Sequence, residues 1–361
     1  MKVGIIGAGQ LGRMLVLAGT PLGMRFSVYD PSTDAPAGHV APLVAGSFDD
    51  LDALRRFAAG TDVVTFDWEN VPVASARAAA DGARVWPAPR ALQVAQDRLH
   101  EKRLFTRLGI PVAPHRAVDD LAGLECAVAD VGLPGILKTR RLGYDGKGQA
   151  MLRRPADVGR AWQALGGQSL IYEGFVDFDC EVSLVAARSR RGEVAYYPLA
   201  RNEHASGILS VTTAPFARPR LQRLAEEHLR AVLEHLRYVG VLCVEFFVTG
   251  QRLVANEMAP RVHNSGHWTI EGAETSQFEN HLRAIAGLPL GSTRARGHAV
   301  MVNCIGRMPP AAKALALGGV HVHDYGKSPR PGRKLGHLTF VGRKARERDL
   351  MARQLRHLAR R

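Results

Sequence analysis

The stretch that most constrains the fold is the N-terminus, where the apolar run Lys2 to Ile6 leads directly into Gly7-Ala8-Gly9-Gln10-Leu11-Gly12. So short a run reads as a strand, the glycines as a tight turn and Arg13 to Gly19 as a helix, followed by a second strand at Phe26–Tyr29 ending in Asp30. This opens a Rossmann-like βαβ unit. Strands expected at Val63–Phe66 and Val85–Trp86, with a helical pattern over Leu51–Ala58 separating them from the second strand, extend it to one doubly wound domain of roughly 95 residues. The GxGxxG turn with Asp30 serves dinucleotide binding, other anion sites or close packing equally, so it names no ligand.

A chain of 361 residues has room for two or three domains. From Asp97 the texture changes: a charged helix, DRLHEKRLFTRLG, leads through a Pro-marked stretch to a strand at Gly135–Lys138 and the glycine-rich loop 143–149, GYDGKGQ. A loop so rich in glycine is too flexible to be simple packing. Beyond it the sequence predicts a strand near Leu170–Glu173, an alternating run Glu181–Ala187, a long helix Arg218–His235, and a strand pair Val241–Val248 and Arg252–Glu257 joined by Thr249-Gly250. This is a large α+β middle domain. From about Gly297 short strands flank a turn-rich basic stretch, Gly326 to Lys334, and no internal repeat or low-complexity linker interrupts the chain.

Composition excludes several classes of function. With 46% hydrophobic, 23% charged and 6% aromatic residues the chain is an ordinary globular α/β protein. No stretch approaches the roughly 20 uncharged apolar residues that span a bilayer, and glycines break the first apolar run, so no membrane association and a cytoplasmic location are expected. Cys126, Cys180, Cys243 and Cys304 are too widely spaced for a metal pair or disulfide framework and read as reduced core residues. The formal charge of +14 suits nucleic acid or phosphorylated substrates. Much of the excess lies in the last segment, RKARERDLMARQLRHLARR, where Leu350, Leu355 and Leu358 suggest an apolar stripe on a solvated basic helix; no nucleic-acid-binding motif accompanies it.

The strongest chemical signal is Glu245 and Glu257, one on each predicted strand of the hairpin. Two carboxylates on a solvated sheet face would be unremarkable. Here the neighbours are apolar (VLCVEFFV and RLVANEMAP), so the buried pair needs a cation to offset desolvation and mutual repulsion, and Mg²⁺, held by a few carboxylates plus substrate phosphates, is the natural one. Asn256, Arg261, His263 and Asn264 follow closely. Lys138 ends an apolar strand just before the glycine loop, which suits a phosphate contact or, equally, a surface lysine; GxxxxGK[ST] is lacking, so this is no P-loop.

Taken together, GAGQLGRML at 7–15, ENVP at 69–72, DRLHEK at 97–102, GYDGKGQ at 143–149, NEMAPRVHNSGHWT at 256–269 and RPGRKLGHL at 330–338 resemble the ATP-dependent N5-carboxyaminoimidazole ribonucleotide synthase family of ATP-grasp enzymes, in order along nearly the whole chain. The resemblance implies an ATP-grasp architecture of mixed α/β and α+β class. Its parts would be a Rossmann-like domain over 1–95, a two-part ATP-grasp domain over 96–296 (a small lid subdomain about 100–175, a larger one about 176–296), and a small β-rich C-terminal domain over 297–361.

Carried over residue by residue, Arg98, Lys138 and the loop Gly143, Tyr144, Asp145, Gly146, Lys147, Gly148 and Gln149 resemble the phosphate-side ATP contacts. Glu173, Gly174, Phe175 and Val176 match the segment that meets the adenine, Glu181 the ribose ligand, and His204, Asn256 and Glu257 further nucleotide contacts. Glu245 and Glu257 resemble the ligands of Mg²⁺, two ions by family habit, with Mn²⁺ as a substitute. Gln10, Leu11, Glu69, Asn264, Lys327, Arg333 and Lys334 fall where the imidazole ribonucleotide binds. Tyr144, Asp145, Lys147, Arg261 and His263 would surround the reacting bicarbonate and amine. Two departures stand out: Ala259 replaces an Asn common in ATP-grasp enzymes, and DWENVP differs from the usual acidic-aromatic version, which leaves the role of Asp67 open.

The implied reaction is ATP-driven carboxylation of 5-aminoimidazole ribonucleotide through carboxyphosphate, with the 143–149 loop as a lid that keeps water from the labile intermediate. A homodimer and a hand-off of product to the carboxyaminoimidazole ribonucleotide mutase are further implications, with no nucleic acid as partner. The nearest rivals are other ATP-grasp ligases, a formate-using glycinamide ribonucleotide transformylase or a biotin carboxylase, against which HNSGHWT and RPGRK weigh. An NAD-dependent dehydrogenase would leave the carboxylate hairpin and the glycine loop without roles.

Overall fold

The computed structural model describes residues 1–143 and 146–360, the side chain of Arg360 excepted. In the first domain β1 (Lys2–Ile6), α1 (Gln10–Gly19), β2 (Arg25–Asp30), β3 (Leu43–Ala45), α2 (Leu51–Ala59), β4 (Val63–Phe66), α3 (Val73–Gly82), β5 (Arg84–Val85) and α4 (Pro89–Ala95) follow in order. The sheet runs β3-β2-β1-β4-β5, every pairing parallel. Val3, Ile5, Val28, Val63 and Val64 are wholly buried, as expected of parallel strands covered on both faces. The helix after the glycine turn begins at Gln10, three residues before the expected Arg13, because Gly9 adopts the extended conformation of an N-cap. Gln10 and Leu11 are thereby fixed in its first turn.

The second unit begins with α5 (Arg98–Arg107), capped by the Asp97 carboxylate, which accepts from Leu99 N at 3.0 Å. Then come β6 (His115–Val118), α6 (Leu121–Val131), β7 (Gly135–Thr139), β8 (Gln149–Leu152), α7 (Asp157–Leu165) and β9 (Leu170–Gly174). These strands form an antiparallel sheet in the order β6-β9-β7-β8. It is tied to the larger sheet where Ala255 N donates to Pro111 O at 2.7 Å.

That larger sheet starts with β10 (Cys180–Arg188), β11 (Val194–Tyr196), β12 (Ala200–Ala205) and β13 (Ile208–Ala214), continues after α8 (Pro219–His235) with β14 (Gly240–Thr249) and β15 (Arg252–Ala259), and is backed by α9 (Thr269–Gly272) and α10 (Gln277–Ala286). The C-terminal elements are β16 (His298–Ile305), α11 (Ala311–Leu315), β17 (Val320–Asp324), β18 (Lys334–Gly342) and α12 (Ala345–Arg360). Their strands do not close a sheet of their own: β16 pairs with β13, so one sheet runs β15-β14-β10-β12-β13-β16-β18-β17 with β11 beside β10. The backbone ladder thus holds the C-terminal segment rigidly against the ATP-grasp sheet.

Several local expectations need correction. Within the run Glu181–Ala187, Val182 to Ala187 are buried on both faces, because α8 covers one side and α10 the other. Thr249 pairs with Arg252, so the hairpin turn is Gly250-Gln251, one residue later than expected, with Gly250 at φ +61°. On α12 the buried stripe is Met351, Leu355 and partly buried Leu358, an i, i+4, i+7 set, while Leu350 faces solvent. Cys243 and Cys304 are buried, Cys180 is intermediate and Cys126 is exposed on α6.

Candidate active site

The site is assembled where three segments meet. β14 and β15 carry Glu245 directly opposite Glu257, with a bulge immediately after Glu245. Their side chains share one face of the sheet. Glu245 is only 13% exposed, and its carboxyl is pushed up from its ordinary value by burial first and by the charge of Glu257 second. The Glu257 side chain is 42% exposed, so the pair is only partly buried, a correction to the sequence expectation; desolvation still acts on Glu257, but Arg98 Nη1 lies 3.0 Å from its Oε2 and holds it below the usual carboxylate range. So the pair has one fixed cation and a residual repulsion, which is the donor set expected of a hard divalent ion. Among the described residues no cluster of three or more His, Cys, Asp and Glu suits a metal, so substrate oxygens or water would complete the shell.

Arg98 opens α5, and its cap Asp97 is clamped by Arg140 at 3.0 and 2.7 Å from the segment after β7. One turn along the same helix, Lys102 is buried and donates to Asn256 O at 2.8 Å. It also lies 3.4 Å from Glu173 on β9, whose Oε2 accepts from Lys138 at 2.9 Å. Lys138 is therefore buried rather than a surface lysine. Burial alone would raise Glu173, but Lys102 and Lys138 prevail and hold it at about 2. Lys102 was not singled out by sequence, although its i+4 spacing from Arg98 was a readable signal. Glu181 and His204, on β10 and β12, form a close ion pair; burial disfavours the imidazolium, yet Glu181 raises the His204 pKa.

On the opposite side lie the strand ends of the parallel sheet. The Gly7–Gly12 turn is wrapped around the carboxylate of Asp67, which follows β4: its Oδ2 accepts from Gly12 N at 3.0 Å, and Asp30 Oδ2 accepts from Ala8 N at 2.9 Å. These amides are where a dinucleotide phosphate would sit. Filled by the protein's own carboxylates, the turn is no dinucleotide site. Gln10 accepts a close hydrogen bond from Lys327, and Glu69 is ion-paired with Arg261. Burial, followed by the charge of Arg333, lowers Lys327 to about 8. Asn264 exchanges amide hydrogen bonds with Asn303 of β16 at 3.1 and 2.7 Å, so this side chain ties β16 to the site. Burial and the charge of Arg261 keep His263 neutral.

A cavity of about 750 Å³ joins these parts. Of the residues singled out in the sequence, Gln10, Leu11, Glu69, Arg98, Gly143, Lys147, Glu245, Glu257, Arg261, His263, Asn264, Lys327, Arg333 and Lys334 line it. Lys138, Gly146, Gly148, Gln149, Glu173, Gly174, Phe175, Val176, Glu181, His204 and Asn256 lie outside that lining. Tyr144 and Asp145 fall outside the described residues. Sequence reasoning missed Glu101, which lines the cavity, accepts from Met258 N at 2.5 Å and is raised to about 8, mainly by burial. A lone carboxylate in a charged helix carries no signal that it is buried.

Known proteins place this arrangement. Residues 1–96 match the ribonucleotide synthetase preATP-grasp domain, 103–278 the ATP-grasp domain, and 299–349 the phosphoribosylaminoimidazole carboxylase C-terminal domain. The N5-carboxyaminoimidazole ribonucleotide synthase of Pseudomonas aeruginosa is 53% identical over 340 residues, 94% of each chain. That of Brucella melitensis is 46% identical over 346 residues, 94% of this chain and 96% of its own. The crystal structure of the N5-carboxyaminoimidazole ribonucleotide synthetase from Thermus thermophilus superposes with a TM-score of 0.95 at 53% identity, covering 99% of this chain and 98% of that one. The Aspergillus clavatus enzyme in complex with ADP and 5-aminoimidazole ribonucleotide gives 0.93 at 30% identity, with 99% and 98% covered.

Proposed function

Because this chain belongs to the N5-carboxyaminoimidazole ribonucleotide synthase family, ATP-dependent ligases of the ATP-grasp class that carboxylate 5-aminoimidazole ribonucleotide in purine biosynthesis, we propose how its own residues divide that reaction between the two sides of one cavity. The observation that carries the proposal is that the carboxylates Glu245 and Glu257 and the cations Lys327, Arg333 and Lys334, from distant parts of the chain, line the same space.

ATP occupies the carboxylate side. Arg98 and the 143–149 loop face its phosphates, and the nucleotide extends past the cavity lining to Lys138, to the Glu173 to Val176 strand end with its base, and to Glu181, His204 and Asn256 with the remainder. Glu245 and Glu257 would hold Mg²⁺, which supplies charge neutralisation for the triphosphate when bound. A bicarbonate oxygen attacks the terminal phosphorus and ADP leaves, forming carboxyphosphate; the exocyclic amine of the ribonucleotide then bonds to the carboxyl carbon, and phosphate leaves with the C–O bond. Arg261, held by Glu69, stays cationic beside the reacting anions. His263, kept neutral by burial and the charge of Arg261, offers a ring nitrogen to a hydrogen bond at the same centre, to which Tyr144, Asp145 and Lys147 are also assigned, and the amine's proton leaves with the phosphate. Lys327, Arg333 and Lys334 grip the 5′-phosphate and Gln10, Leu11, Glu69 and Asn264 the rest of the ribonucleotide.

In the same reading the units 1–95, 96–296 and 297–361 each supply part of the cavity, and a homodimer in the cytoplasm passes its unstable carbamate to the following mutase. No helix among the described residues is long and apolar enough to cross a membrane. The decisive assay is ADP release by the purified protein. It should require both bicarbonate and 5-aminoimidazole ribonucleotide, and turnover with formate and glycinamide ribonucleotide in their place would sink the reading.

A further inference from the structure

We propose that Asp67 is a positioning residue for the ribonucleotide side of the cavity: its carboxylate fills the anion site of the Gly7–Gly12 turn, sets Gln10, and through Gln10 holds the Lys327 ammonium where the substrate's phosphate enters. The inference rests on the reading of Lys327 as a phosphate contact.

Helix α1 has no cap of its own, since Gly9 offers no side chain and the first turn holds no acidic residue. Asp67 supplies the cap from the segment after β4, accepting from Gly12 N and from Gly9 N. The turn is moulded to it. A Cβ on Gly7, at φ +90°, would lie 1.9 Å from Asp67 Oδ1, and Cβ atoms on Gly9 and Gly12 would lie 3.0 and 3.1 Å from Oδ2. Gln10 is the residue between these contacts, and its Oε1 accepts from Lys327 Nζ. Displacing the carboxylate therefore moves the first turn that carries Gln10.

The charged groups facing Asp67 are Asp30 at the end of β2, Arg261 after β15 and Lys327 before β18, beside the α1 amides. Burial raises the Asp67 carboxyl to about 6, Asp30 adds to this, and the amides with Arg261 oppose it. Its folded value lies above the ordinary 3.9. Asp67 is thus charged above about pH 6 and neutral below, where it loses acceptor strength towards the amides and attraction for Lys327.

In the test, Asp67→Asn should raise the KM for 5-aminoimidazole ribonucleotide about tenfold at pH 7.5 while the KM for ATP stays within twofold. The variant-to-wild-type KM ratio should fall towards one as pH drops from 7.5 to 5.5; the substrate phosphate, which titrates near pH 6, does so in both proteins and cancels. A ratio independent of pH, or an ATP KM that rises in step, overturns the proposal. Gln10→Ala should raise the same KM, and the double variant should be no worse than the poorer single one; additive losses also overturn it. Should Asp67→Asn fail to fold, an unchanged ribonucleotide KM in Gln10→Ala is the refuting result. Lys327→Ala separates the two readings. If it leaves the ribonucleotide KM unchanged, the phosphate assignment falls and this inference with it; if it raises that KM while Asp67→Asn does not, only the positioning role falls.

Discussion

Thr65, inside the parallel sheet on β4, is hydrogen-bonded to His281 Nε2 of α10 across 2.8 Å of fully buried space. The other ring nitrogen, Nδ1, accepts from Val241 N at 3.1 Å, so Nε2 carries the proton and donates to the threonine. A neutral imidazole in one tautomer therefore joins the first domain to β14 of the large sheet, beside the apolar cluster of Phe278, Leu282 and Val3.

This staple should make the protein acid-labile. A second proton on His281 would meet the Val241 N–H in a buried site, and burial lowers its pKa to about 3. The unfolded chain titrates near 6.5. Stability is then full above pH 6.5 and is lost as pH falls towards 3, by about 2 kcal/mol at pH 5 from this residue. Urea unfolding at pH 7 and pH 5 measures it. His281→Asn should lower proton uptake on unfolding at pH 5 by about one; an unchanged uptake would remove His281 as the source.

Glu257→Gln should reduce turnover by about three orders of magnitude and leave the fold intact. The neutral amide relieves the repulsion on Glu245 but removes the charge that pairs with Arg98 and with a divalent ion. ADP release titrated with Mg²⁺ checks this, and near-normal activity at saturating Mg²⁺ would take Glu257 out of the metal site.

Lys327 should impose an alkaline limb on kcat/KM for the ribonucleotide. Burial lowers its folded pKa to about 8, so the ammonium is present below that pH and is lost above it. The logarithm of kcat/KM should fall with unit slope above about pH 8. Lys327→Arg should carry the limb beyond the measurable range, because a guanidinium stays charged. Persistence of the limb in that variant would assign it to another group.

Arg333→Ala should raise the KM for the ribonucleotide roughly ten- to a hundredfold, about 1.5–3 kcal/mol for one charged hydrogen bond. Arg333 lines the cavity while anchored through Nη1 to Ser328 O at 3.0 Å. The substrate phosphate is unchanged by the reaction, so its contacts act on binding rather than on kcat. A raised KM for ATP with that of the ribonucleotide spared would move the basic cluster to the nucleotide site.

Local chemistry was legible in the one-dimensional pattern. The glycine turn after an apolar run specified strand, turn and helix; two acidic residues in apolar strands specified a facing carboxylate pair, though not how far Glu257 is exposed; and Lys327, Arg333 and Lys334, clustered in a turn-rich stretch, specified a basic patch without a helix. Each depends on neighbours within a few residues, which strand and turn geometry bring together on their own. Only the tertiary structure decided which distant groups share a space and which charges remain. Asp67 is read by the glycines that precede it by some sixty positions only once β1 and β4 pair, Lys102 meets Glu173 only when α5 packs under β15, and Lys327 reaches Gln10 across nearly the whole chain. The burial that follows sets the protonation of Asp67, Glu101, His281 and Lys327, because desolvation is a property of the assembled interior and not of any residue's position in the sequence.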